Sequence, residues 1–220
     1  MKFMTLILCG ANNGTAIPTI PKVACENFGK AQMFLMQRIR KVDGTLNSMT
    51  LADAKLLATW TPLLTEEVLG TKVQATPYTE SPSFTDGSQR TARGGNDSFG
   101  GVPIVLGNDP TEFTSQILLT QQAVIKELKK YQNEDRNNLG LYMVSDDGKL
   151  MVNTDDSANP TTVYPIPIQS FAVGNKVAGG YDDVDYNTLG FQLLNNWSDN
   201  VIVIQRSELD FDPLTALLPV

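Results

Sequence analysis

The sequence predicts a mainly β protein, a β-sandwich or barrel with one long flanking α-helix and an extended arm loop. Short apolar runs rich in strand-forming residues recur between turns that contain glycine. Residues 109–133 repeat apolar side chains at helical spacing. Residues 80–101 have few apolar side chains and are longer than most connections inside a compact domain. We expect all 220 residues to form a single β-rich assembly domain.

Two β-hairpins are predicted in the second half of the chain. Residues 139–144 and 149–152 are apolar and flank Asp146-Asp147-Gly148, which predicts a hairpin with a turn that contains glycine. Residues 171–173 and 176–178 flank Gly174-Asn175 and predict a second hairpin.

Further strands are predicted at residues 190–194, 201–204 and 30–40. Because residues 201–204 have no polar alternation, we expect them to be buried on both faces. Residues 30–40 fit a strand or a helix, and we prefer a strand that runs into a turn at residues 42–45. The apolar start of the chain also predicts a buried first strand, rather than a signal peptide.

The long helix has start signals of its own. Asp109 is placed as the N-cap, Pro110 as the first helical residue, and Glu112 can reach back to the cap. The expected apolar stripe comprises Phe113, Ile117, Thr120, Val124, Leu128 and Tyr131. A shorter helix is predicted to begin at Thr50, and Pro62 should end or kink it.

Residues 80–101 are interpreted as an arm that becomes ordered when subunits assemble. The segment holds six glycines or prolines and too few apolar side chains to anchor itself. Phe84 and Phe99 lie near its two ends, where each is expected to insert into a neighbouring subunit. Arg90 and Arg93 are expected to meet acidic residues across that interface. The alternative is an ordinary disordered surface loop.

The net charge of −7 is unevenly distributed. Residues 1–100 carry ten Lys/Arg and eight Asp/Glu, whereas residues 101–220 carry seven and sixteen. This pattern indicates either an acidic face that is exposed to solvent, or an acidic face and a near-neutral face that contact each other in an assembly. Clustered cations typical of a tight nucleic-acid binder are absent from the sequence, as is the run of about 18 apolar residues typical of a membrane span.

The sequence contains no histidine, which excludes Ser-His-Asp and Cys-His catalysis and the usual zinc hydrolase sites. A pair of carboxylates is still chemically able to cleave glycosides, but no pair stands out. We therefore expect no catalytic, cofactor-binding or metal-binding residues and no enzyme activity. Cys9 and Cys25 are expected to be free thiols, because nothing indicates an oxidising compartment.

Two motifs approach known ligand loops without completing them. The glycine-rich residues 93–101 lack the G-K-S/T of a phosphate-binding loop. Residues 183–187 match the first ligands of a calcium loop, but Thr188 occupies the glycine position and Leu194 the position of the bidentate Glu. We predict a solvated acidic turn, and weak divalent-ion binding by Asp182, Asp183 and Asp185 stays open.

Several short segments together resemble virion structural proteins of tailed phages. They are Ile17-Pro18-Thr19-Ile20-Pro21, Cys25-Glu26, Asp43-Gly44-Thr45, Ala58-Thr59-Trp60, Thr71-Lys72-Val73, Thr76-Pro77-Tyr78, Gly94-Gly95-Asn96, Gly100-Gly101 and Pro165-Ile166-Pro167-Ile168. Within that class the chain is most similar to tail tube proteins.

The resemblance implies a β-sandwich or barrel with a flanking helix at residues 109–131 and an arm at residues 80–101. It also implies self-association into hexameric rings that stack into a tube, contacts with other virion proteins, and DNA that passes through without specific binding. The location implied is the virion, assembled in the host cytoplasm.

Three alternatives remain open at this point. One is a capsid decoration or head–tail joining protein of a tailed phage. Another is a carbohydrate-binding β module, which needs an exposed aromatic cluster, although Trp60 and Trp197 are far apart in the sequence. The third is an enzyme built on a carboxylate pair.

Overall fold

The computed structural model describes residues 28–66, 70–95, 101–134 and 138–218. Within these residues eleven strands join into one sheet, which curls into a half-barrel, and two more form a separate hairpin. The strands are β1 (Ala31–Arg38), β2 (Met49–Thr50), β3 (Val73–Ala75), β4 (Glu80–Thr85), β5 (Gln89–Ala92), β6 (Ile104–Asn108), β7 (Thr111–Leu118), β8 (Leu139–Ser145), β9 (Leu150–Thr154), β10 (Thr162–Tyr164), β11 (Ile166–Val177), β12 (Tyr186–Leu193) and β13 (Val201–Ile204). The helices are α1 (Leu51–Ala54), α2 (Leu57–Thr65), α3 (Gln122–Lys130) and α4 (Pro213–Ala216).

The sheet runs in the order β2-β10-β9-β8-β11-β12-β7-β4, and every pairing in it is antiparallel. β8 also pairs with β1, which pairs in turn with β3, and β13 pairs with β9. β4 therefore lies beside β7 at one end of this path, and β12 lies on the other side of β7.

β1 and β8 lie at the centre of the molecule with apolar side chains on both faces. Because successive side chains of a strand point to opposite faces, each of these strands feeds two cores. One core includes Phe34, Phe113, Ile125, Leu128, Leu141 and Phe191 and is covered partly by α3. The other includes Leu35, Trp60, Tyr142, Val144, Val152 and Phe211 and is covered by α1, α2 and α4.

Several sequence predictions are confirmed. The strand predicted at residues 30–40 is β1, and residues 41–45 close the turn after it. The first predicted hairpin is formed by β8 and β9, where Met143 pairs with Met151. Thr50 is the N-cap of α1, because its Oγ1 accepts a hydrogen bond of 3.1 Å from the backbone N–H of Asp53. The predicted helix is nevertheless broken: α1 ends at Ala54, and Pro62 lies inside a second helix, α2, which begins at Leu57 and continues to Thr65.

The long helix predicted for residues 109–133 is wrong in its first half. Residues 111–118 are the strand β7, and the helix runs only from Gln122 to Lys130, followed by one 3-10 turn at Tyr131–Asn133. Phe113 and Ile117 are four residues apart, a spacing that fits the period of a helix but is also a multiple of the strand period of two. Thr111 and Ser115 point inward with them, and this alternation is that of a half-buried strand.

The arm loop predicted for residues 80–101 is also corrected. Its first part is β4, which pairs with β7 along the edge of the main sheet. Its second part is β5, which pairs with β6. The strand that supplies these hydrogen bonds, β6, lies beyond residue 101, so the composition of residues 80–101 alone did not indicate it.

The hairpin predicted around Gly174-Asn175 is not formed. Both residues lie inside the continuous strand β11, where the register with β12 shifts between Val173 and Lys176. The glycine-asparagine pair therefore marks a bulge rather than a turn. β13 pairs with β9 as expected for a strand, but three of its four residues are partly exposed, so it is not buried on both faces.

The predicted first strand, the two cysteines and Phe99 lie outside the described residues. Among the described residues, no helix is long and apolar enough to cross a membrane.

Candidate assembly surface

A two-stranded hairpin lies in the chain between β4 and β7. It is called the arm here and comprises residues 86–95 and 101–110. β5 and β6 pair antiparallel, with Thr91 opposite Val105 and Ala92 opposite Ile104. Arg90 lies opposite Gly107, which leaves Leu106 as the extra residue of a β-bulge. The two strands form a sheet of their own, separate from the main sheet.

The arm exposes a continuous apolar run. Val102, Ile104, Val105 and Leu106 are between 44% and 63% exposed. Residues 104 and 105 point to opposite faces of the hairpin, so both faces carry apolar surface. An isolated two-stranded hairpin is at best marginally stable in water, and an apolar strand with an unpaired edge is a template for pairing. The arm therefore has the properties of a segment that binds another surface.

The base of the arm is held by polar contacts. The backbone N–H of Asp109 donates to the carbonyl oxygen of Ser88 at 2.9 Å, and Asp109 Oδ1 lies 3.0 Å from Arg90 Nε. Thr111 Oγ1 donates to Asp86 Oδ1 at 3.2 Å. A Cβ added to Gly87 would overlap the carbonyl oxygen of Asp109, so the two backbones approach as closely as only glycine allows. These contacts define where the arm leaves the sheet.

Three of the four candidate arm residues lie in the described ranges, where they occupy different environments, and the fourth, Phe99, lies outside them. Phe84 lies in β4, where its ring packs against Phe113 at 4.7 Å between centroids and stacks on Trp197 at 6.2 Å. Arg90 makes an exposed ion pair with Asp109 of its own chain. Arg93 is exposed with a φ of +61° and has no hydrogen-bond or ion-pair partner among the described residues. Insertion of Phe84 into a neighbouring subunit therefore stays a prediction.

The apolar strand β6 of the arm was not predicted from the sequence, although its residues have the pattern of a strand. The glycine-rich segment ends at residue 101, and Val102-Pro103-Ile104-Val105-Leu106 follows it directly. Four apolar residues with strand-forming side chains indicate a strand. Paired with the polar β5, that strand makes the hairpin.

The acidic turn before β12 does not have the geometry of a calcium loop. Asp185 Oδ2 lies 2.6 Å from Lys176 Nζ, and its Oδ1 accepts a hydrogen bond from the backbone N–H of Gly179 at 2.9 Å. The Lys176 hydrogen bond, followed by the Gly179 N–H, lowers the pKa of Asp185. Asn187 is buried in β12 and donates to the carbonyl oxygen of Gly174. Nowhere in the described ranges do three or more Cys, Asp or Glu side chains cluster as metal ligands.

A groove of about 440 Å³ lies between α3 and the β1–β3 edge of the sheet. Arg38 forms a two-pronged ion pair with Glu134 at its rim, with N–O distances of 2.8 and 3.0 Å. The hydrogen bonds that Arg38 donates to the Glu134 carboxylate raise the pKa of Arg38. This pair ties β1 to the segment after α3.

This chain has little detectable similarity to known proteins. No protein-family model matches the sequence, and no curated protein matches it. A solved structure, the tail of an empty GTA (gene transfer agent) particle with C6 symmetry, is similar at a TM-score of 0.29 and 10% identity. The likeness covers 53% of this chain and 77% of that one.

Proposed function

We propose that this chain is a structural subunit of a tailed-phage virion rather than an enzyme, and within that class a tail tube protein. Its copies would form hexameric rings that stack into a tube and conduct DNA without binding it specifically. Its partners are further copies of itself and other virion proteins, its location is the virion, assembled in the host cytoplasm, and it has no membrane partner. The hexamer and the tube rest on the sequence resemblance alone.

The observation that carries the proposal is the exposed apolar run of the arm. Ile104, Val105 and Leu106 place apolar surface in water on a hairpin that has little support from the rest of the chain. Covering an exposed Leu or Ile side chain contributes about 1.5–3 kcal/mol. A subunit that assembles with its own copies can bury these side chains at the contact, whereas an isolated monomer leaves them in water.

The charge distribution supports a conduit. Residues 101–220 carry a net charge of −9, and duplex DNA carries about one negative charge per 1.7 Å of its axis. Like charges repel over a Debye length of about 8 Å at physiological salt. An acidic wall would therefore let DNA pass without holding it.

The alternatives differ in what the arm and the aromatic residues do. A capsid decoration or head–tail joining protein would use the same arm on a different lattice. A carbohydrate-binding module is less well supported, because Trp60 is buried with its ring edge-on to Tyr142 and cannot contact a sugar. Trp197 is partly covered by Phe84.

Electron microscopy of the purified full chain tests the proposal. Tubes or stacked rings are expected. A chain that stays monomeric at high concentration, or that assembles only into closed shells or single rings, contradicts the tail tube assignment. Shells or single rings would favour the decoration or joining protein.

A pair of variants tests the role of the arm. Ile104→Thr combined with Leu106→Thr keeps strand-forming side chains but removes apolar surface. Since both residues are exposed, stability should change by no more than about 0.5 kcal/mol per site. The concentration needed for assembly should rise about tenfold or more. Thr91→Ser, on the polar strand of the same hairpin, is the matched control and should assemble normally. Equal assembly by all three proteins would contradict the proposal.

A further inference from the structure

A second exposed apolar surface lies at the other end of β7 and is called the distal patch here. It consists of Leu119, Val177, Tyr181 and Val184. The backbone N–H of Leu119 donates to the carbonyl oxygen of Asp185 at 3.0 Å, and Tyr186 pairs with Leu118. These two contacts place the end of β7 beside the loop that joins β11 to β12, so the four side chains lie in one region.

Leu119 is the most informative residue of the distal patch. Its φ is +48°, in the left-handed region that leucine rarely adopts and that costs about 1–2 kcal/mol. Its side chain is nevertheless 73% exposed, and Tyr181, in the loop that Leu119 adjoins through Asp185, is fully exposed. Asn or Asp would fit this backbone conformation better. A strained leucine that points into water contributes little to the stability of the free subunit, which indicates that its side chain is used in a contact.

The distal patch and the arm lie at opposite ends of the same strand. The arm joins β7 at Thr111, and the patch follows Leu118. At about 3.3 Å per residue, the two ends of β7 are roughly 23 Å apart. A contact between an arm and a patch on different copies joins two different surfaces head to tail. Such contacts repeat, and they build rings or open-ended stacks rather than closed pairs.

The charges of the two surfaces are complementary. Arg93 of the arm is exposed and has no ion-pair partner among the described residues, whereas Arg90 is already paired with Asp109. On the patch, Asp182 and Asp183 are exposed. The next carboxylate, Asp185, already forms an ion pair with Lys176. An arginine that meets these carboxylates at the rim of an apolar contact would select the register of the docked arm.

We propose that the arm of one copy docks on the distal patch of a second copy, with Ile104 and Leu106 covering Leu119 and Tyr181, and with Arg93 facing Asp182 and Asp183. This inference rests on the proposed function in that it names the partner surface of the arm. It commits to a second copy of this chain because the two surfaces match in both apolar character and charge. A different protein as occupant is an outcome that the test below detects.

The first test uses Leu119→Asn together with Tyr181→Ser. These changes should leave thermal stability unchanged or raise it, because asparagine accepts the left-handed backbone at residue 119. Self-assembly should nevertheless weaken about tenfold or more. Val42→Asn removes another highly exposed apolar side chain, from the turn after β1, and is the matched control. Assembly of the patch variant at the concentration of the parent would overturn the inference.

The second test mixes two variants that each fail alone. The arm variant, Ile104→Thr with Leu106→Thr, keeps its patch, and the patch variant keeps its arm. In an equimolar mixture the intact arm meets the intact patch, so association should reappear but stop after one such contact. Light scattering with size-exclusion chromatography measures this limited complex. No association in the mixture, while the parent assembles, means that the arm docks elsewhere or on another protein.

A charge exchange tests the register. Arg93→Glu should weaken association about three- to tenfold, and Asp182→Lys with Asp183→Lys in the partner copy should restore it. If the exchanged charges do not restore association, the charge pairing is not part of the contact.

The outcomes also separate the two proposals. A parent that associates through arm and patch without forming tubes or stacked rings contradicts the tail tube function only. Tubes that form equally well with the patch variant contradict the docking only.

Discussion

The ring of Phe34 in β1 lies edge-on against the ring of Phe113 in β7, with 5.0 Å between the centroids and 73° between the planes. Both also contact Phe191 of β12, at 5.3 and 4.6 Å. The contact spans the interior of the half-barrel, because β1 pairs with β8 and β7 pairs with β12. It joins the centre of the sheet to the strand that carries the arm at one end and the distal patch at the other.

Phe113→Ala should lower the free energy of unfolding by about 3–5 kcal/mol, because it removes a fully buried ring that contacts the rings of Phe34, Phe84 and Phe191. Urea unfolding followed by tryptophan fluorescence measures the change. Thr114→Val is the matched control, since the neighbouring side chain is exposed and the change keeps the β-branched shape. A loss below about 1 kcal/mol for Phe113→Ala would mean that the ring is not part of the core.

Leu128→Ala and Val124→Ala should differ in effect, although both lie on α3. Leu128 is 4% exposed and belongs to the core, so its truncation should cost about 2–5 kcal/mol. Val124 is 39% exposed and should cost less than about 1 kcal/mol. Chemical denaturation of both variants checks the register of the helix. Equal losses would contradict the orientation of α3 in the structure.

Gly87→Ala should displace the base of the arm, because the new Cβ would overlap the carbonyl oxygen of Asp109, a backbone atom that cannot rotate away. The amide of Asp109, which donates to Ser88, should then exchange its hydrogen faster. Gly180→Ala is the control, since a Cβ there meets open space. If exchange at Asp109 is as slow in the alanine variant as in the parent, the close approach is not real.

Asp155 should titrate well below its ordinary pKa of 3.8, because Thr161 Oγ1 and the backbone N–H groups of Thr162 and Thr161 donate to its carboxylate. Since the folded pKa lies below the unfolded one, the stabilisation is complete above pH 3.8. It is lost as the pH falls through the folded pKa. Carboxyl-carbon NMR measures the midpoint, and Thr161→Val should raise it. A midpoint at or above 3.8 in the parent contradicts these hydrogen bonds.

Calcium and magnesium should bind no more tightly than about millimolar to the acidic turn, far weaker than an EF-hand sensor site. The reason is that Lys176 and the N–H of Gly179 already occupy both oxygens of Asp185. Isothermal titration calorimetry of the full chain provides the measurement. A stoichiometric micromolar site that Asp185→Asn abolishes would show that the ion pair opens to admit a metal.

The sequence predicted the strand-rich class and the local signals that depend on few neighbours. Thr50 caps α1 because its side chain reaches an amide three residues away, a contact that any chain with this local sequence can make. The hairpin of β8 and β9 also follows from adjacent residues, with Gly148 in its turn. Of the candidate assembly surface, Arg90 and Arg93 were recognised, but the apolar side chains of β6 were not.

The amino-acid sequence by itself therefore determined the features that depend on a few adjacent residues. These are the alternation of apolar and polar side chains along strands, the hairpin turn and the helix cap. Tertiary structure decided the cases in which the local sequence fits two conformations equally well. Phe113 and Ile117 fit a helix and a strand, and pairing with β12 and β4 made them a strand. Gly174-Asn175 fits a turn and a bulge, and it forms a bulge because β11 pairs with β12 on both sides of it. The backbone N–H and C=O groups of a strand form hydrogen bonds with a partner strand that is distant in the sequence. Adjacent residues carry no information about that partner, so they cannot predict the pairing.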